Sequence, residues 1–182
     1  MPALTTSWRP YRPACTLPLA ALLAVGGMPC AAQEAIEGLA CVVDGRSLFV
    51  GSRREEGQCR GGVKVRLFGI DAPDLEQRCA TPTGASYACG LSALTALEEL
   101  TWRRTVRCEP KDAPGRDRTT AATCFVGQQD LAAEMVRRGW AIAAPRESEA
   151  YAVEQAKARQ ARRGLWSGRF DNPAAWRQDR RQ

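Results

Sequence analysis

The sequence of 182 residues contains no histidine. That excludes every mechanism that needs an imidazole, including Ser-His and Cys-His nucleophile pairs, histidine general bases and His-ligated zinc. Chemistry must then rest on carboxylates, arginine, lysine, hydroxyls, cysteine, or an oxygen-liganded metal such as calcium. The cysteines are the second chemical feature. Two of the eight, Cys15 and Cys30, fall in an apolar N-terminal stretch. The remaining six are Cys41, Cys59, Cys79, Cys89, Cys108 and Cys124. No Cys-x-x-Cys occurs, so zinc-ribbon and thioredoxin-like sites find no support.

The N-terminal stretch sets the compartment. Residues 1–32 carry Arg9 and Arg12, no acid, an apolar run over 14–25, and small residues at the end. These are the parts of a secretory signal peptide, and cleavage is expected after Ala32. Pro29 makes Cys30 a poor lipoprotein anchor. An even number of cysteines behind such a leader points to disulfides in a periplasmic or secreted protein. No run of roughly 18 uninterrupted apolar residues exists, which argues against a membrane span. The mature length fits one domain, at roughly 100–200 residues per domain. Residues 159–182 hold seven arginines against two aspartates. This basic end reads either as an electrostatic hold on a polyanion or as a solvated helix face and tail.

The elements that must position any site follow from periodicity. Leu39–Val43 and Ser47–Val50 read as strands around an Asp44-Gly45 turn. Gly51–Gly62 reads as a polar loop. Val63–Leu67 alternates at period two, with Val63, Val65 and Leu67 facing a core. A helix is expected over Ser86–Arg104, with Leu91, Leu94, Leu97 and Leu100 on it. Thr105–Cys108 and Ala122–Val126 read as two more strands, which as neighbours would join Cys108 to Cys124. Asp130 is a good N-cap for a helix over Leu131–Arg138, and Gly139 a good stop. A third helix is expected over Ser148–Arg163. Cys79–Cys89 would close the loop before the first helix, leaving Cys41–Cys59 by elimination. The fold class is therefore α+β, a five-stranded OB-type Greek-key barrel with about three helices.

Three segments then stand out. They are Val42–Ser47 (VVDGRS), Val65–Gln77 (VRLFGIDAPDLEQ) and Asp130–Ala141 (DLAAEMVRRGWA), with Ala158–Trp166 (ARQARRGLW) closing the set. Together they resemble the staphylococcal nuclease (thermonuclease) family, over about Leu39–Trp166. The resemblance implies an SNase-like OB-fold domain over 33–170, with 171–182 as an Arg-rich tail. It also implies calcium-dependent phosphodiester hydrolysis of DNA or RNA. In that scheme Arg66 is a catalytic arginine, Asp71 and Asp44 serve the metal, Asp74 takes the general-base position, and Arg118 is nearest to the second arginine.

The sequence departs from the family pattern at three places. The usual Asp-Gly-Asp-Thr turn is Asp44-Gly45-Arg46-Ser47, so an arginine stands where a metal ligand belongs. Asp74 replaces the usual glutamate and is shorter by one methylene. The Tyr-Gly-Arg motif is scrambled: ungapped counting from Cys124 puts Thr119 at its arginine, with Arg118 one residue off. Gly115-Arg116 restores the dipeptide only with a longer loop. The expectation is that the Arg46 guanidinium takes the cation's place beside Asp44 and Asp71, and holds phosphate together with Arg66. Three readings stay open: a monomeric nuclease of reduced or lost activity, a non-catalytic module binding nucleic acid or another polyanion in the envelope, and an inert scaffold. Trp102, Trp140, Trp166 and Trp176 are the stacking candidates, with core or tail packing as the simpler role for each.

Overall fold

The computed structural model describes residues 34–181. The expected leader over 1–32 lies outside the described residues. Five strands close a barrel: β1 Ile36–Asp44, β2 Ser47–Val50, β3 Val63–Leu67, β4 Thr105–Pro110 and β5 Thr120–Val126. β1, β2 and β3 form an antiparallel meander, β1 also pairs antiparallel with β4, and β4 with β5. The parallel pairing of β3 with β5 completes the ring. Closure removes the exposed edges that an open sheet would offer. Val42, Leu48, Val50, Val65, Leu67, Val106 and Val126 fill the interior. Val63 departs from the expected alternation and is 41% exposed. It is the first residue of β3, follows Gly61-Gly62, and pairs with the last residue of β2 at the strand ends.

Among the described residues four α-helices accompany the barrel, the last of them beyond the three expected: α1 Cys89–Thr101, α2 Leu131–Arg137, α3 Ala152–Gln160 and α4 Pro173–Asp179. Helix α1 is shorter than its leucine spacing suggests, and that spacing misleads about its buried face. A strict three-residue step at 3.6 residues per turn drifts by about 180° between Leu91 and Leu100. The buried face is instead Cys89, Ala93, Ala96, Leu97 and Leu100, while Leu91 is exposed. Asp130 caps α2, accepting from the N–H groups of Ala132 and Ala133 at 2.8 and 3.1 Å. Tyr151 donates its hydroxyl to the other Asp130 oxygen at 2.9 Å, and burial beside that carboxylate pushes the phenol's pKa up.

The expected loop at 51–62 contains a hairpin, Arg53–Glu55 with Gln58–Arg60. Its two central residues, Glu56 and Gly57, both have positive φ, the geometry that matches strand twist. Neither face of this hairpin is apolar, so no period announces it. Tertiary contacts hold it instead: the Cys41–Cys59 disulfide, and Arg54 donating to the Val42 carbonyl at 2.7 Å and to Glu98 at 3.0 Å. Cys79–Cys89 ties the short hairpin of Cys79–Ala80 with Ser86–Tyr87 to the start of α1. Cys108–Cys124 joins directly paired residues of β4 and β5 inside the core. In the chain-entropy account, loops of this size are worth about 3 kcal/mol each. Among the described residues no helix is long and apolar enough to cross a membrane.

The phase of α1 can be checked by denaturant unfolding of the oxidised protein. Leu97→Ala should cost about 2–5 kcal/mol, whereas Leu91→Ala should stay within about 0.5 kcal/mol.

Candidate functional site

One end of the barrel gathers the chemistry. The β1–β2 turn and the end of β3 lie side by side there, since Ser47 pairs with Arg66 and the Leu67 N–H donates to the Arg46 carbonyl at 2.8 Å. The chain then runs into Ile70–Asp71, which pairs antiparallel with Ile142–Ala143. Gly45 lets the turn lie close. A Cβ there would stand 2.6 Å from the Ala93 Cβ and 3.0 Å from that of Ala72. Gly90 does the same for the next loop, because a Cβ would stand 1.9 Å from the Asp74 carbonyl oxygen. Loop 71–77 is therefore pressed onto the first turn of α1.

Asp71 is the centre of the cluster and is buried, with 9% exposure. Its Oδ1 faces Arg46 Nη1 at 3.2 Å and accepts from the Ala72 N–H at 3.0 Å. Its Oδ2 accepts from Arg177 Nη2 at 2.5 Å. Arg177 Nη1 reaches Asp74 Oδ2 at 3.1 Å, so one guanidinium bridges both aspartates. Burial works against the Arg177 charge, but the hydrogen bonds and charges of Asp71, then Asp74, outweigh it and raise its pKa above the ordinary value. Asp44 does something simpler: its Oδ1 accepts from the backbone N–H of Arg46 at 2.8 Å and holds the turn. The Arg46 guanidinium thus meets Asp71 and not, as expected, Asp44 as well.

Arg66 belongs to the same end. Its Nη1 donates to Glu147 Oε2 at 2.9 Å, and that oxygen also accepts from the Gly69 N–H at 3.1 Å. Arg118 does not join the cluster. It sits with positive φ in an exposed turn before β5, where its N–H donates to the Gly115 carbonyl. Asp117 stabilises that turn through Thr119, whose hydroxyl donates at 2.7 Å and holds the Asp117 carboxyl below its usual pKa. Among the tryptophans, Trp140 and Trp166 pack around Ile142 and Leu165, Trp102 is 70% exposed, and Trp176 is half-buried on α4.

Two participants have no counterpart in the sequence reading. Glu147 lies about 80 residues from Arg66 in a turn with no motif. Arg177 was legible only indirectly: Asn172-Pro173 is a helix-start signal, with Asn172 accepting from the Ala174 N–H at 2.9 Å and proline at the first helical position. That signal would have converted a tail into a helix, though not into a docked one.

The donor set does not fit calcium, which takes about six to eight oxygen ligands. Both Asp71 oxygens are occupied by guanidinium groups, and the Asp44 side chain holds its own turn. Among the described residues no group of three acidic, cysteine or histidine side chains converges. Asp71, Asp74 and Glu147 pair with Arg46, Arg177 and Arg66, three acids against three arginines. Such an arrangement presents directed N–H donors to an anion. Asp71→Asn should leave two guanidinium groups short of a counter-charge and cost about 2–3 kcal/mol in a denaturant titration, somewhat under the loss for a fully buried pair.

Comparison with known proteins places this geometry. A family model described as staphylococcal nuclease homologue matches residues 64–168. The succinoglycan biosynthesis protein ExoI of Rhizobium meliloti (strain 1021) is 31% identical over 151 residues, covering 80% of this chain and 72% of its own. An uncharacterized endonuclease of Haemophilus influenzae is 32% identical over 123 residues, covering 63% of this chain and 60% of its own. With the closed five-strand barrel and the matched motif segments, the chain belongs to the staphylococcal nuclease family.

Proposed function

We propose that this protein is an exported member of the family that binds nucleic acid through the phosphate backbone, with hydrolysis reduced or lost. The observation that carries the reading is the state of Asp71, whose two oxygens are each held by a different arginine. Phosphate contact falls to Arg46 and Arg66, both about three-quarters buried and fixed by carboxylates. What hydrolysis remains draws on Arg66 to neutralise phosphoryl charge and on Asp74 to orient water. Arg118, exposed before β5, is left a backbone contact outside the cluster. No step in this reading is routed through calcium, because the donor set does not accommodate it.

The same proposal divides the chain into an export leader over 1–32, a nuclease-like domain over 33–170, and an Arg-rich segment over 171–182. Three disulfides among the described residues support a periplasmic or secreted location, and in this reading the protein acts as a monomer. The name of the Rhizobium relative favours a second reading, in which the bound polyanion is an acidic glycan.

The test uses oxidised mature protein starting at Gln33. DNA binding should weaken steeply with salt, and Arg66→Ala should lower affinity roughly tenfold and flatten the salt slope by about one. Added Ca²⁺ should bring little cleavage. Rapid cleavage that needs Ca²⁺ and Arg66 and is abolished by EDTA would overturn the reduced-activity reading. Competition by a polyuronate but not by DNA would favour the glycan.

A further inference from the structure

Helix α4 lies beyond the residues matched by the family model, yet it is fastened to loop 71–77 at both ends. Before the helix, the carbonyl of Asp171 accepts from the buried Gln77 amide at 2.8 Å. After it, Arg180 pairs with Glu76 at 2.9 Å. Between these anchors Arg177 enters the cluster. A guanidinium has five N–H groups, and Asp71 and Asp74 engage only its two Nη atoms. The side chains of Arg177 and Arg46 are 22% and 21% exposed, and each sits on its own oxygen of one carboxylate. One buried carboxylate thus fixes two guanidinium groups, one on each oxygen, and both reach solvent. Fixing them before binding removes much of the ordering cost of gripping a phosphate.

The preceding residue supplies a different chemistry. Trp176 and Arg177 line a groove of about 350 Å³ together with Val43, Asp44, Asp74 and Leu75. Arg180 lies over the Trp176 ring, 4.7 Å from its centroid. An aromatic wall beside Arg177, whose guanidinium is held by two aspartates, is an arrangement that takes a nucleotide, stacking its base and holding its phosphate. The carboxylates along the groove repel a bare polyanion but can accept hydrogen bonds from the amino groups of bases.

We propose that α4 forms a nucleotide subsite for single-stranded nucleic acid, with a base against Trp176 and the adjoining phosphate on Arg177 and Arg46. The subsite rests on the reading that this end of the barrel binds nucleic acid. It extends that reading to a segment outside the matched family region.

The test compares two fluorescein-labelled probes of about ten residues by anisotropy: a single-stranded oligonucleotide and an abasic deoxyribose-phosphate oligomer. Full mature protein is used throughout, and each variant's thermal melt is checked against the parent. Trp176→Leu should weaken the base-bearing probe fivefold or more and leave the abasic probe unchanged. Trp176→Phe, which keeps a ring, should retain the preference. Arg177→Gln should weaken both probes and flatten the log–log salt slope by about 0.7, and Arg177→Lys should restore the slope. Equal loss on both probes in Trp176→Leu, or an unchanged slope in Arg177→Gln, overturns the subsite. Tighter binding by Arg177→Gln also overturns it and makes α4 an occluding strap. Parent protein that binds both probes equally overturns the subsite and leaves a plain polyanion binder. Parent protein that binds neither probe overturns the nucleic-acid reading as well.

Discussion

Burying a carboxylate costs several kcal/mol unless oppositely charged groups meet it, and Asp71 is buried between the barrel and loop 71–77. Its two oxygens are met from opposite directions in the chain. The turn between the first two strands brings Arg46, and the last helix brings Arg177. Much of the local architecture serves this meeting. Gly45 lets the turn approach, Gly90 seats the loop on α1, the Cys79–Cys89 disulfide braces the loop's far end, and Asn172 starts the helix that carries Arg177. Loss of the central carboxylate would leave guanidinium groups from two distant segments without the charge that holds them together.

The same interaction changes what the family scaffold can hold. A divalent cation needs several oxygen donors free to turn toward it. Here the donors are spoken for, and the positive charge comes on covalent tethers. A guanidinium differs from a metal ion in two ways that matter for a phosphodiester. It offers N–H groups in a fixed plane, so it recognises geometry as well as charge. It does not activate water as a metal does. The site therefore presents guanidinium N–H groups where a cation would need free carboxylate oxygens. Glu147 supports this on the other side by fixing Arg66, the motif arginine, through the oxygen that also takes the Gly69 N–H.

The barrel was legible because each of its cues is local. Alternation marked Val65 and Leu67, a two-residue turn signal marked Asp44-Gly45, and a capping residue marked Asp130. The leucine ladder of α1 misled in part because a three-residue step is not a helical face, so Leu97 and Leu100 share the contact with the small residues Ala93 and Ala96 while Leu91 faces out. The hairpin at 53–60 was invisible because it has no apolar face. The placement of Arg46 on Asp71 was readable from the motif, since an arginine in a ligand position beside an acid has an obvious partner. Asp44 offered two roles in the sequence, a metal ligand or a turn residue, and its contact with the Arg46 N–H is that of a turn aspartate.

The sequence alone thus determined the five strands, the exported-type cysteine pattern, the absence of imidazole chemistry and the break in the family's acidic turn. Each follows from residues within a few positions of one another. Only the tertiary structure decided that the Arg-rich end is a docked helix, that Arg177 bridges Asp71 and Asp74 from about 100 residues away, and that Glu147 holds Arg66. Side-chain charge is written in the sequence. Its partner is chosen by distance, and distance between remote segments exists only once the chain has closed its barrel.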